Sequence, residues 1–145
     1  MPKRKVLFLC TGNSCRSQMA EAIVNARLGD RWEAFSAGTH PAREVHPLAL
    51  QALVEIGIVH RGRTKHVREF QNEAFDLVVT VCDDAARECP AWLGEGQVVH
   101  HGFPDPAPTN DMEVFRHVRD AIIAEILPLL LSYEHRTATG GFQMD

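Results

Sequence analysis

The chain has 145 residues, a length that suits one domain around one core. Its 45% hydrophobic and 23% charged content is that of a soluble globular protein, and a formal net charge of -4 gives nucleic-acid binding no support. The apolar runs at 6–9 and 127–131 are too short for a secretory core or a membrane span, so no membrane association and a cytoplasmic location are expected.

The first predicted element is a strand over 5–9, whose continuous rather than alternating apolar run marks a position buried on both faces. A helix follows over 17–28, with Met19, Ala20, Ile23, Val24 and Leu28 as its apolar stripe. A second strand spans 33–38, and a second helix 47–56 stops at Gly57. The β-branched run 75–81 predicts a third strand, followed by a short helical turn at 83–88. Residues 97–100 form the fourth strand. The last helix runs over 111–133, with Val114, Phe115, Val118, Ile122, Ile126 and Leu129 on one side and Pro128 as a site of kinking. The polar segment 136–145 reads as a disordered tail. Strands alternating with helices predict an α/β single domain: a four-stranded parallel sheet with helices on both faces. Ligands bind such sheets beyond the carboxyl ends of the strands. Cys10, Cys82 and the segment after Val99 all fall at such ends.

The chemistry concentrates in Cys10-Thr11-Gly12-Asn13-Ser14-Cys15-Arg16-Ser17, which joins the first strand to the first helix. Backbone N–H groups in such a loop, and at the helix start, point at negative charge. Gly12 and Asn13 permit the tight turns this needs. Arg16 adds a planar fork of donors that matches two oxygens of a tetrahedral anion. The same positive field favours the thiolate of Cys10, the reactive form. Ser17 hydrogen-bonds that thiolate, caps the helix, or does both at once. Asp105, between Pro104 and Pro106, is a general acid facing the loop or a simple turn aspartate.

Cysteines at 10, 15, 82 and 89 have spacings that fit a zinc site poorly, and the eight histidines are scattered. Neighbouring residues on a strand face opposite ways, so His100-His101 is a poor chelate. No metal and no cofactor are expected. Cys82 and Cys89 lie about two helical turns, or roughly 10 Å, apart if the segment between them is helical. A disulfide requires Cα atoms within about 7 Å, so joining them would require that segment to unwind.

The loop and its continuation, Cys10 through Ala20, resemble the phosphate-binding loop of the low-molecular-weight protein tyrosine phosphatase superfamily, and within it the thioredoxin-coupled arsenate reductases most. The likeness extends through 78–82, 88–90, 101–107 and 115–120, and covers roughly residues 4–130. It implies a reductase domain over 1–135 and a phosphatase-type loop after the first strand. Arsenate or a phosphate-like oxyanion is the implied substrate, with residues 11–17 (Thr11, Gly12, Asn13, Ser14, Cys15, Arg16, Ser17) as its cradle. Catalysis falls to Cys10, Arg16, Cys82, Cys89 and Asp105, the last as proton handler. In the implied relay Cys10 attacks arsenate, Cys82 attacks Cys10 to release arsenite, and Cys89 attacks Cys82. Thioredoxin then reduces the resulting disulfide. Cys15 has a passive part, and a monomer is expected.

Relatives often hold a monovalent cation with residues matching Asn13, Glu21, Ser36 and a further acidic residue. Here Lys65 stands in place of that acid, and its ammonium is expected to replace the cation. The alternative is a phosphotyrosine phosphatase, against which Asp105 is followed by Pro106-Ala107-Pro108-Thr109-Asn110, with no tyrosine to grip an aromatic substrate. A non-catalytic oxyanion-binding or redox-sensing protein is the third reading.

Overall fold

Val6, Leu7, Phe8 and Leu9 are all fully buried, and their strand β1 (Arg4–Cys10) lies inside the sheet. In the computed structural model, which describes residues 2–82 and 94–138, four parallel strands stand in the order β2-β1-β3-β4. The others are β2 (Trp32–Gly38), β3 (Ala74–Thr80) and β4 (Glu95–His100). β4 is an exposed edge in which Val99 alone packs against the core. The register pairs Cys10 with Gly38, Leu9 with Thr80, and Thr80 with His100, so all four carboxyl ends finish at one edge.

Successive side chains of a strand face opposite ways, and this divides the core in two. Val6, Phe8, Leu77 and Val79 face the larger half, against α1 (Arg16–Arg27), α2 (Pro47–Val54) and α3 (Met112–Ala138). Leu7, Leu9 and Val78 face the smaller half, where Val67 and Phe70 of a 3-10 helix (Val67–Phe70) cover them. Helical segments therefore lie on both faces, unequally: among the described residues, all three α-helices pack on one.

The four predicted strands and the predicted helices over 17–28, 47–56 and 111–133 are present, with shifted ends. Gly57 follows α2 at φ 82, a left-handed conformation that glycine adopts without penalty. The buried stripe of α3 is Phe115, Val118, Ile122, Ile126 and Leu130, whereas Val114 and Leu129 sit at its margin. Steps of three and four keep one helical face, and Leu130 continues them where Leu129 does not. The helix passes through Pro128 and continues to Ala138, three residues into the expected tail. Its last turn has partners that the local sequence does not reveal. Thr137 Oγ1 donates within the helix to the carbonyls of Tyr133 and Glu134 and accepts from Arg4 Nη2 at 2.9 Å. Glu134 accepts from Trp32 Nε1 at 2.6 Å. The predicted turn at 83–88 and Cys89 lie outside the described residues.

Candidate active site

The loop between β1 and α1 is held from outside by its carbonyls. Those of Thr11, Gly12 and Ser14 accept from the backbone N–H groups of His40, Ala42 and His46 at 2.9, 2.9 and 3.0 Å. In a trans peptide the carbonyl and the next N–H point opposite ways. Turning these three carbonyls out therefore turns the N–H groups of Gly12, Asn13 and Cys15 in. Asn13 N–H points at Cys10 Sγ, 3.3 Å away. Asn13 itself is left-handed, at φ 50, as this reversal requires. Cys15 occupies the N-cap of α1 without a side-chain cap, so the helix presents its first donors to the same hollow.

Cys10 is 2% exposed. Ser17 Oγ lies 2.9 Å from its sulfur and accepts from Asn13 Nδ2 at 2.8 Å. Of the two roles open to Ser17, holding the sulfur is the one realised, and it does not cap α1. Arg16 is buried, with Nη1 on the Phe103 carbonyl at 3.1 Å and Nη2 at 3.7 Å from Asp105 Oδ2. These contacts aim the guanidinium across the loop. Asp105 also accepts from Ala107 N at 3.0 Å, which fixes its turn, and its carboxylate is partly exposed at the cleft. Cys10, Gly12, Ser14, Cys15, Arg16, Ala42, His46, Asp105 and Ala107 together line a cleft of about 340 Å³. Burial pushes the Cys15 thiol up to about 12, so this second loop cysteine stays protonated.

Cys82 is buried just past the carboxyl end of β3, its sulfur 3.9 Å from both Thr11 Oγ1 and the Leu9 carbonyl oxygen. Cys10 and Cys15 are free thiols, and Cys82 is disulfide-bonded. Behind the loop, Lys65 Nζ lies 3.7 Å from Glu21 Oε1 and donates to the Arg63 carbonyl at 2.7 Å. Ser36 Oγ donates to the same Glu21 oxygen, and Asn13 Oδ1 accepts from Lys65 N at 2.9 Å. A positive charge thus already stands beside the Glu21 carboxylate, close to Ser36 and Asn13. Burial lowers the proton affinity of Lys65 and the Glu21 carboxylate counteracts it.

The low molecular weight phosphotyrosine protein phosphatase model matches residues 5–137. The chain belongs to that family. Among relatives of this phosphatase family, an arsenate reductase of Halalkalibacterium halodurans is 46% identical over 129 residues, covering 84% of this chain and 91% of that one. An arsenate reductase structure from Archaeoglobus fulgidus superposes with a TM-score of 0.76 at 32% identity, covering 86% of this chain and 97% of the other. A thioredoxin-dependent arsenate reductase of Corynebacterium glutamicum gives 0.63 at 29% identity, covering 90% and 64%.

Three contributors to this phosphatase-family site escape a reading of the motif. Gly38 abuts the loop, where a Cβ would overlap the Thr11 carbonyl oxygen; its place at a strand end was the available signal. His46 lines the cleft, caps α2 by accepting from Leu48 N at 3.1 Å, and lies 4.7 Å from the Phe115 ring centre. A histidine before Pro47 at a helix start could have been read as a cap. Gln18, fully buried behind the loop, carries no sequence signal beyond its place in α1.

Proposed function

We propose that this protein reduces arsenate to arsenite. A Cys10–Cys82–Cys89 relay carries the electrons and ends in a disulfide that thioredoxin reduces. The observation that carries the reading is the second sulfur: Cys82 lies against the loop that cradles Cys10, a position that ester hydrolysis does not use. The reductase names of the relatives support the same chemistry.

The loop N–H groups and Arg16 bind the oxyanion and offset its charge. The Cys10 thiolate attacks arsenic, an S–As bond forms, and one oxygen leaves as water with a proton from Asp105. Cys82 then attacks the Cys10 sulfur. An S–S bond forms, the S–As bond breaks with its electron pair passing to arsenic, and arsenic falls from +5 to +3. Cys89 displaces Cys10 from Cys82, restoring the free Cys10 thiolate. A disulfide-bonded Cys82 beside a free Cys10 matches the end of this sequence, before thioredoxin acts. Cys89 lies outside the described residues, and its part rests on the family resemblance.

The phosphatase alternative shares the loop and the acid, so weak hydrolysis of aryl phosphates is expected as a side activity. The cleft offers no aromatic grip from tyrosine, since Tyr133, the one tyrosine of the chain, donates to the Asp76 carbonyl near the opposite end of β3.

Arsenate-dependent oxidation of reduced thioredoxin tests the proposal. Wild type turns over, and Cys89→Ser stops after one equivalent with Cys10 bonded to Cys82. Sustained turnover by both Cys82→Ser and Cys89→Ser would overturn the relay.

The Lys65 ammonium takes the place of a monovalent cation. Exchanging sodium for potassium at constant ionic strength should leave both turnover and melting temperature unchanged. A potassium-dependent rise in either refutes this.

A further inference from the structure

Behind the loop, a line of side chains leads away from Cys10 to a histidine with no part in the relay. We propose that His60 is a positioning residue for Cys10, acting through Gln18, Asn13 and Ser17 by hydrogen bonds that all donate toward the sulfur. The proposal rests on Cys10 being the nucleophile.

Backbone groups set the direction of each bond, so no amide orientation has to be assumed. Asn13 Oδ1 faces the N–H of Lys65, a fixed donor, at 2.9 Å and is therefore the oxygen. Its Nδ2 then donates to Ser17 Oγ, which leaves the Ser17 hydroxyl hydrogen for Cys10 Sγ. Gln18 Nε2 faces three oxygens, Asn13 O at 3.1 Å, Asn13 Oδ1 at 3.0 Å and Arg63 O at 2.8 Å, and is therefore the donor. Its Oε1 must then accept, and the group it meets is His60 Nε2 at 2.7 Å. That contact holds His60 as the Nε2–H tautomer. Burial of the imidazole lowers its proton affinity, with Lys65 acting the same way and Glu21 opposing, so the neutral ring has a single N–H to give.

Gly62 supplies a second, independent sign. A Cβ there would overlap both His60 Nε2 and Gln18 Oε1, so glycine leaves the space in which the two meet. Gly62 is not among the residues with positive φ, so alanine is compatible with its backbone.

Removal of the imidazole leaves Gln18 Oε1 buried without its donor. Turning the amide over would set that oxygen against the two oxygens of Asn13. Either outcome loosens Asn13 and weakens the bond that Ser17 makes to the sulfur.

The test is the rate at which iodoacetamide alkylates Cys10 in fully reduced protein at mildly acidic pH, followed by peptide mass spectrometry. His60→Ala should slow Cys10 by about threefold, as expected for a polarised chain deprived of its first donor. His60→Gln, which restores an N–H donor, should recover most of the rate. Gly62→Ala, which leaves both partners in place but separates them, should slow it as His60→Ala does. A merely structural histidine would give the alanine and glutamine variants the same defect, and that result overturns the proposal. An unchanged rate in His60→Ala and Gly62→Ala overturns it as well. Alkylation does not require arsenate turnover, so a chain that fails to reduce arsenate but shows this pattern would refute the reductase reading alone.

Discussion

Two thiols of one short loop meet different surroundings. Cys10 meets Ser17 Oγ and the inward N–H of Asn13, whereas Cys15, 3% exposed, is held protonated by burial. The difference lies in which groups face each sulfur. Gly38 shows how little slack that arrangement has. A Cβ built there would overlap the Thr11 carbonyl oxygen and stand 2.7 Å from that of Cys10. Gly38→Ala must therefore push the loop off the sheet, since neither backbone oxygen can rotate aside. We expect a loss of about 1–3 kcal/mol in urea denaturation and a weaker stabilisation of the fold by inorganic phosphate. Unchanged phosphate stabilisation would show that the loop tolerates the added methyl.

At the scale of elements, α2, whose N-cap residue His46 lines the cleft, is tied to α3 at two points. His46 caps α2 and packs on Phe115 of α3, while Glu55, just past α2, is clasped by Arg116 and Arg119 of α3. The bond from Arg116 chiefly, with Arg119 adding to it, draws the Glu55 carboxyl down from 4.5 to about 2. An acid depressed in this way stabilises the fold above its unfolded value and loses that contribution as pH falls through the folded one. Wild type should therefore lose stability relative to Glu55→Gln as pH drops from 4.5 to about 2, with the difference constant above that window. Urea midpoints measured across it check the sign, and a parallel pair of curves would rule the clasp out as an acid-sensitive tie. Both arginines and the glutamate are visible in the sequence, but nothing local says that they meet. The helices themselves were legible because their apolar periods are local; the added turn of α3 was not, because Arg4 and Trp32, far back in the chain, hold its end.

For the whole molecule, the order of strands and helices, the parallel sheet and the loop at its carboxyl edge could all be read in advance. Each follows from patterns within about ten neighbouring residues: a continuous apolar run, a 3.6-residue period, a glycine or proline at a turn. The candidate cradle could be singled out for the same reason, since a strand–loop–helix of the kind that suits an oxyanion is built from consecutive residues. The amino-acid sequence by itself thus determined the fold class and pointed to Cys10 and the loop that follows it as the candidate site. Only the tertiary structure decided how that site is supported: the inward turn of the loop N–H groups, Gly38 beneath the loop and His60 against Gln18. Those arrangements join residues from separate elements, and their geometry exists only once packing of the sheet has brought the elements within hydrogen-bond reach.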